Sequence, residues 1–192
     1  MPYIFCPGTA MVLDAGSPYG LTVAGSLEAF TAHVAAVLPR CRRAAVVAVR
    51  PEAGVSLVPE PSLASYSFPT AAPGSCCYVS HHEALCFIPV EEGLDLPGRE
   101  CCGPLRYGMA TYPTDALTAQ ALIRKARLLA QLAVETGRPC LDARGVEEEI
   151  IGLRGELGRL VSRGYGLSSP QVAAVSRVLD AFVLAAQRLK DS

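Results

Sequence analysis

From Glu147 onward, apolar residues return at steps of three and four. Ile150, Leu153, Leu157 and Leu160 make one series, and Val172, Val175, Leu179, Phe182, Ala186 and Leu189 make another. Both are the a/d seams of amphipathic helices. Between them runs Gly164-Tyr165-Gly166-Leu167-Ser168-Ser169-Pro170. Its glycines can end one helix, Ser169 can accept free backbone N–H groups of the next, and Pro170 suits a first turn. The spacing therefore predicts a C-terminal antiparallel two-helix hairpin. Gly152, Gly155 and Gly158 run against this pattern, since each costs up to about 1 kcal/mol relative to alanine inside a helix. Their gain would be close approach of another backbone.

Upstream the periodicity changes. Leu27, Phe30, Val34, Val37 and Leu38 have helical spacing behind a capping Ser26, and Ala44 to Val49 is a continuous apolar run of buried-strand type. Residues 51–74, rich in Pro, Ser and Ala, read as an extended connection. Ala84 to Val90 forms a second strand behind the polar bend Ser80-His81-His82-Glu83, with Cys76 to Val79 as its hairpin partner, and Leu105 to Tyr112 forms a further strand. Thr118 caps a helix that carries Leu122, Ala126, Leu129 and Ala133 on one face and stops at Gly137. Residues 138–145 are read as a link to the hairpin. The fold class is α/β or α+β: a sheet layer with helices, then all-helical structure.

Composition narrows the function. Seventeen basic and 18 acidic residues give a net charge of −1, which leaves no electrostatic footprint for nucleic acid or an anionic membrane. No run has the length of a membrane span, and the N-terminus lacks a secretory pattern, so the expected compartment is the cytoplasm. Eight cysteines are then expected to be reduced. Cys76-Cys77 and Cys101-Cys102 lack the two-residue gap of a metal-binding turn, although His81 and His82 lie near the first pair. Buried thiols are favoured over a zinc or iron-sulfur site, and a plain polar turn over a His81-His82-Glu83 metal cluster. Tyr66, Tyr78, Tyr107 and Tyr112 are expected to pack on the sheet.

The hairpin carries Ile150-x-x-Leu153-Arg154-x-Glu156-Leu157-x-x-Leu160-Val161, then Gly166-Leu167-Ser168-Ser169-Pro170-x-Val172, then Ser176-x-x-Leu179-Asp180. This run resembles the sporulation-stage-zero-E-like aspartyl-phosphate phosphatases, small helical hairpins that remove the phosphoryl group from a phosphorylated sporulation response regulator. The resemblance implies Ser176, Arg177 and Asp180 as the catalytic or docking face, and a phosphorylated response regulator as partner. Any Mg²⁺ would be supplied by that partner, and the chain is expected to hold no cofactor of its own. Where the family reads Ser-Gln-Glu-Leu-Asp, this chain has Ser176-Arg177-Val178-Leu179-Asp180. Orienting a water for in-line attack needs a hydrogen-bond acceptor, and a guanidinium has only donors. Asp180 could position the water and Arg177 neutralise phosphoryl charge. A docking hairpin without turnover and a pair of ordinary solvated residues remain the open alternatives.

Residues 20–137 carry a second resemblance. Tyr107-Gly108-Met109-Ala110-Thr111-Tyr112-Pro113-Thr114-Asp115, running into Thr118-Ala119 and Leu122-Ile123-Arg124-Lys125-Ala126, is similar to the last strand and helix of diguanylate-cyclase (GGDEF) domains. Tyr78 to Pro89 matches the signature hairpin, and Leu21-Thr22 with Phe30 matches the first helix. The resemblance implies a palm-like domain over 1–142, followed by the hairpin over 146–192. It also implies lost chemistry. The hairpin's glycines are replaced by Ser80 and His81 and its first acidic residue by His82, while Val49 and Arg50 stand where a metal-binding Asp belongs. Glu83 alone cannot hold two Mg²⁺ ions on a triphosphate. The expectation is a degenerate palm without cyclase activity.

Two readings of function follow. One is a regulatory signalling protein that binds, and as a phosphatase dephosphorylates, a response regulator in control of sporulation. The other is a non-enzymatic dimerising or partner-sensing protein. A hairpin of this size is marginal alone, so the seam is expected to pack on the body or on a second copy, with a homodimer through the hairpin as the simpler outcome.

Overall fold

The computed structural model describes residues 22–52, 74–90 and 104–191. The 51–74 connection, apart from its ends, and Cys6, Cys101 and Cys102 lie outside them.

Six strands form one mixed sheet. They are β1 (Thr22–Ala24), β2 (Ala44–Pro51), β3 (Cys76–Val79), β4 (Ala84–Pro89), β5 (Leu105–Tyr112) and β6 (Cys140–Asp142), in the order β1-β3-β4-β2-β5-β6. The fold is α+β. β2 lies between β4 and β5 and is antiparallel to both, whereas the edge strands β1 and β6 join in parallel. The unbroken apolar run in β2 is explained by this position, because Ala44 to Val49 are all buried.

Among the described residues there are four α-helices: α1 (Leu27–Val37), α2 (Ala119–Thr136), α3 (Ala143–Ser162) and α4 (Pro170–Lys190). Their ends follow the chemistry written in the sequence. Ser26, Thr118 and Ser169 each accept a backbone N–H of the first turn, from Ala29, Ala121 and Val172. Gly137 ends α2 at φ 68, where a side chain would be strained.

Both sheet faces are buried. On the face covered by α1 and α2, Val46, Leu85, Phe87 and Cys76 pack with Phe30, Val34, Leu122 and Ala126. The opposite face buries Val47, Val49, Ala84, Ile88 and Leu105 together. α2 crosses β5 so closely that a Cβ at Gly108 would lie 2.0 Å from the Ala130 nitrogen. Only glycine fits there. At the end of β5, Asp115 Oδ2 accepts from the Thr111 amide at 2.6 Å and hydroxyl at 2.7 Å, while Lys125 Nζ donates to the Asp115 carbonyl at 2.7 Å. These bonds set the strand-to-helix corner.

The hairpin shares a core with the body. Leu129, Leu132 and Ala133 of α2 and Leu141 of β6 pack with Val146, Leu153, Phe182, Ala185 and Leu189. Ile150, Val175, Leu179 and Ala186 pack half-buried against that cluster. Arg138 adds a tie by donating to Glu149 Oε2 at 2.6 Å. Much of the a/d seam is thus packed inside the chain, while Leu157 and Leu160 are half-buried.

Two segments differ from their expected form. Thr22, matched to a helix, lies in β1, whose amide donates to the Ser75 carbonyl at 3.1 Å. The supposed link 138–145 contains β6 and the start of α3, capped by Asp142 accepting from Gly145 N at 2.6 Å. Both strands have three residues, too few for a period of two to register.

Candidate functional site

Ser176, Arg177 and Asp180 lie one turn apart on α4. Arg177 and Asp180 are exposed and Ser176 is half-buried. The Arg177 Nε donates to the Ala173 carbonyl of its own helix at 3.2 Å, which lays the guanidinium along the helix surface. Leu184 is 53% exposed one turn beyond Asp180, so the four side chains form a mixed polar and apolar strip. Phe182, Ala185 and Leu189 point the other way into the shared core. Chemically the strip offers a cation, a carboxylate, a hydroxyl and an apolar contact on a rigid helix. It is an open surface suited to a macromolecular partner.

At the far end of the hairpin, Val161 is 50%, Tyr165 41% and Leu167 81% exposed. The Arg163 amide donates to the Arg159 carbonyl at 3.1 Å, and the Tyr165 amide donates to the Leu160 carbonyl at 3.2 Å, closing the C-terminus of α3.

The body holds a different constellation. Ser80 closes the β3–β4 turn: its amide donates to the Glu83 carbonyl at 2.8 Å, and its hydroxyl accepts from the Glu83 amide at 3.2 Å. This leaves His81 and His82 exposed and turns Glu83 inward, where its side chain is 8% exposed. Arg127 of α2 grips both carboxylate oxygens, at 2.9 Å through Nε and 2.8 Å through its terminal nitrogen. Arg50, at the end of β2, donates to the same carboxylate at 3.3 Å and to the Gln131 side-chain oxygen. Gln131 in turn donates to Glu135 at 2.8 Å. Glu83 is therefore neutralised by two guanidinium groups, Arg127 from α2 and Arg50 from the end of β2. Arg127 and Gln131 were not singled out in the sequence. They lie on the polar side of α2, and nothing local marks them as partners of a residue more than 40 positions away.

The thiols are separated by the pleat. Cys76 faces α1 and α2, whereas Cys77 lies opposite Cys86 across the β3–β4 ladder, with its side chain on the other face. Burial pushes the Cys76 thiol up to about 11 and that of Cys77 up to about 12, and Cys86 is raised well above the usual thiol range. These are protonated, apolar-packed groups at neutral pH. Among the described residues, no group of three or more His, Cys, Asp or Glu side chains is placed to hold a metal ion.

A groove of about 670 Å³ runs between α1 and α2, lined by residues that include Leu27, Glu28, Thr31, Ala35, Thr118 and Gln120. None of Glu83, Ser176, Arg177 or Asp180 lines it. Among the described residues, no helix is long and apolar enough to cross a membrane. Comparison with family models, curated proteins and solved structures returns no match.

Proposed function

We infer that the chain is a regulatory signalling protein whose C-terminal hairpin docks on a phosphorylated response regulator in the control of sporulation. The observation that carries this reading is the exposed strip on α4, where Arg177, Asp180 and Leu184 stand outward beside half-buried Ser176. The helix is held firmly from behind by Phe182 and Leu189. A carboxylate on a rigid helix can accept a hydrogen bond from a water and aim it at a bound phospho-aspartate, and a guanidinium beside it offsets phosphoryl charge. Hydrolysis then consumes that water and yields inorganic phosphate and the free aspartate of the regulator. Mg²⁺ at the phosphoryl group belongs to the regulator.

Arg50 and Arg127 around Glu83 support the companion reading of the body as a palm-like scaffold without cyclase chemistry, since a neutralised carboxylate offers no charge to a cation.

The test incubates the protein with a phosphorylated sporulation response regulator and follows both binding and loss of the phosphoryl group. Faster loss that disappears in Asp180→Ala is the expected result. Binding without acceleration reduces the function to docking. Absence of both removes the reading.

A further inference from the structure

The outer face of α3 carries a feature that the α4 strip does not use. At 100° per residue, Ile151, Gly155, Gly158 and Ser162 fall within an arc of roughly 60°, opposite the buried Val146 and Leu153. Ile151, at the centre of the helix, is 71% exposed. A Cβ built on Gly155 or Gly158 meets nothing within 4 Å, so this face stands open to whatever approaches it.

Charge tells which partner fits. Glu147 and Glu148 flank the N-terminal half of the exposed face, with Arg144 held to Glu148 at 2.9 Å, while Arg154, Arg159 and Arg163 lie towards the C-terminal half. A face that is acidic at one end and basic at the other is the complement of itself reversed. That is the requirement of a two-fold interface, in which the same patch serves both sides. In the antiparallel register that lays Ile151 of one copy over Gly155 of the other, Glu148 comes level with Gly158, one residue from Arg159 on the same side of the face, and symmetry repeats both contacts. A parallel pairing would oppose like charges.

We propose that the outer face of α3 is a self-association surface, on which a second copy of this chain packs antiparallel with Ile151 seated over Gly155. The surface is separate from the α4 strip, so a dimer leaves Arg177 and Asp180 accessible on both copies. The glycines of α3 acquire a purpose here, since they admit the partner helix at the cost of helix propensity.

Sedimentation of the full chain over a range of concentrations tests this. A single helix pair is a small interface, so a reversible dimer with a dissociation constant on the order of ten micromolar is expected. Gly155→Leu fills the seat without touching the monomer and should weaken the dimer at least about tenfold while the circular dichroism is unchanged. Glu148→Arg and Arg159→Glu should each weaken it, and combining them should restore it. A chain that stays monomeric up to about 100 µM overturns the proposal and leaves the face to another occupant. A dimer indifferent to Gly155→Leu, or a charge pair without rescue, overturns the assigned surface or register. Phosphoryl release by the regulator is a separate readout, so failure here does not touch the docking reading.

Discussion

The β3–β4 turn and the outer face of α4 each carry a carboxylate with an arginine near it, and the chain treats the two sites differently. At the first, Glu83 is folded inward and held by Arg127 and Arg50. At the second, Arg177 and Asp180 stay exposed and the nearest bond of Arg177 is to its own helix. Burial decides the difference. A carboxylate removed from water needs compensating charge, and once compensated it has nothing left to offer a ligand. A carboxylate on an exposed helix face keeps its contact with water and remains available to a partner group. The carboxylate of the body is part of its framework, while Arg177 and Asp180 of the terminal hairpin face outward.

Truncating the side chain that joins the two regions should have the largest effect. Phe182 is fully buried between α2 and the hairpin. Phe182→Ala should cost about 4 kcal/mol, read from urea unfolding, through lost burial and the cavity left behind. If the hairpin were an independent appendage, the loss would appear as a second transition with the body unaffected.

Removing each carboxylate in turn sharpens the contrast. Glu83→Ala leaves two guanidinium groups against a buried site and should destabilise by about 3 kcal/mol. Asp180→Ala, on an exposed helix face, should stay within about 0.5 kcal/mol. Equal effects in denaturant titrations would mean that the two sites are not built differently.

The contrast between these sites was only half legible in the sequence. Caps were readable because their partners lie three residues away, as with Ser26, Thr118 and Ser169. The exposure of Arg177 and Asp180 also follows from a heptad. The Glu83 network was not readable, since its bonds span 33 and 44 residues and depend on how α2 is laid across β5 at Gly108. The edge strands β1 and β6 escaped for a related reason: three residues pairing in parallel carry no periodic signature, and their partners are set by topology alone.

Alkaline pH should separate the regions again. Cys76 and Cys77 have thiols raised to about 11 and about 12 by burial, against an ordinary value of 9.0. The unfolded chain therefore loses these protons first as pH rises, and the stability they contribute, complete below pH 9, drains away towards the folded values. The two together should cost about 2 kcal/mol between pH 9 and pH 10. A Cys76→Ala, Cys77→Ala double variant should lose most of that slope, Cys86 supplying the remainder. The described part of the hairpin has no cysteine, so protection of its amides should not track this titration except through global unfolding.

A small effect of the opposite sign is expected at a glycine. Gly108 lies in β5 beneath α2 and Gly155 lies in α3, and the space beside them differs completely. An added methyl at Gly108 would enter the α2 backbone, whereas at Gly155 it would meet nothing within 4 Å. Gly155→Ala should therefore stabilise the monomer by roughly 0.5 to 1 kcal/mol, because alanine loses less backbone freedom on entering a helix. Measured well below the concentration of dimerisation, thermal unfolding should show a small upward shift. At high concentration the gain should shrink, because the methyl intrudes on the seat of Ile151 from the second copy. A stabilisation of the same size at every concentration would separate the glycine from any interface and leave the low helix propensity of α3 without a physical purpose.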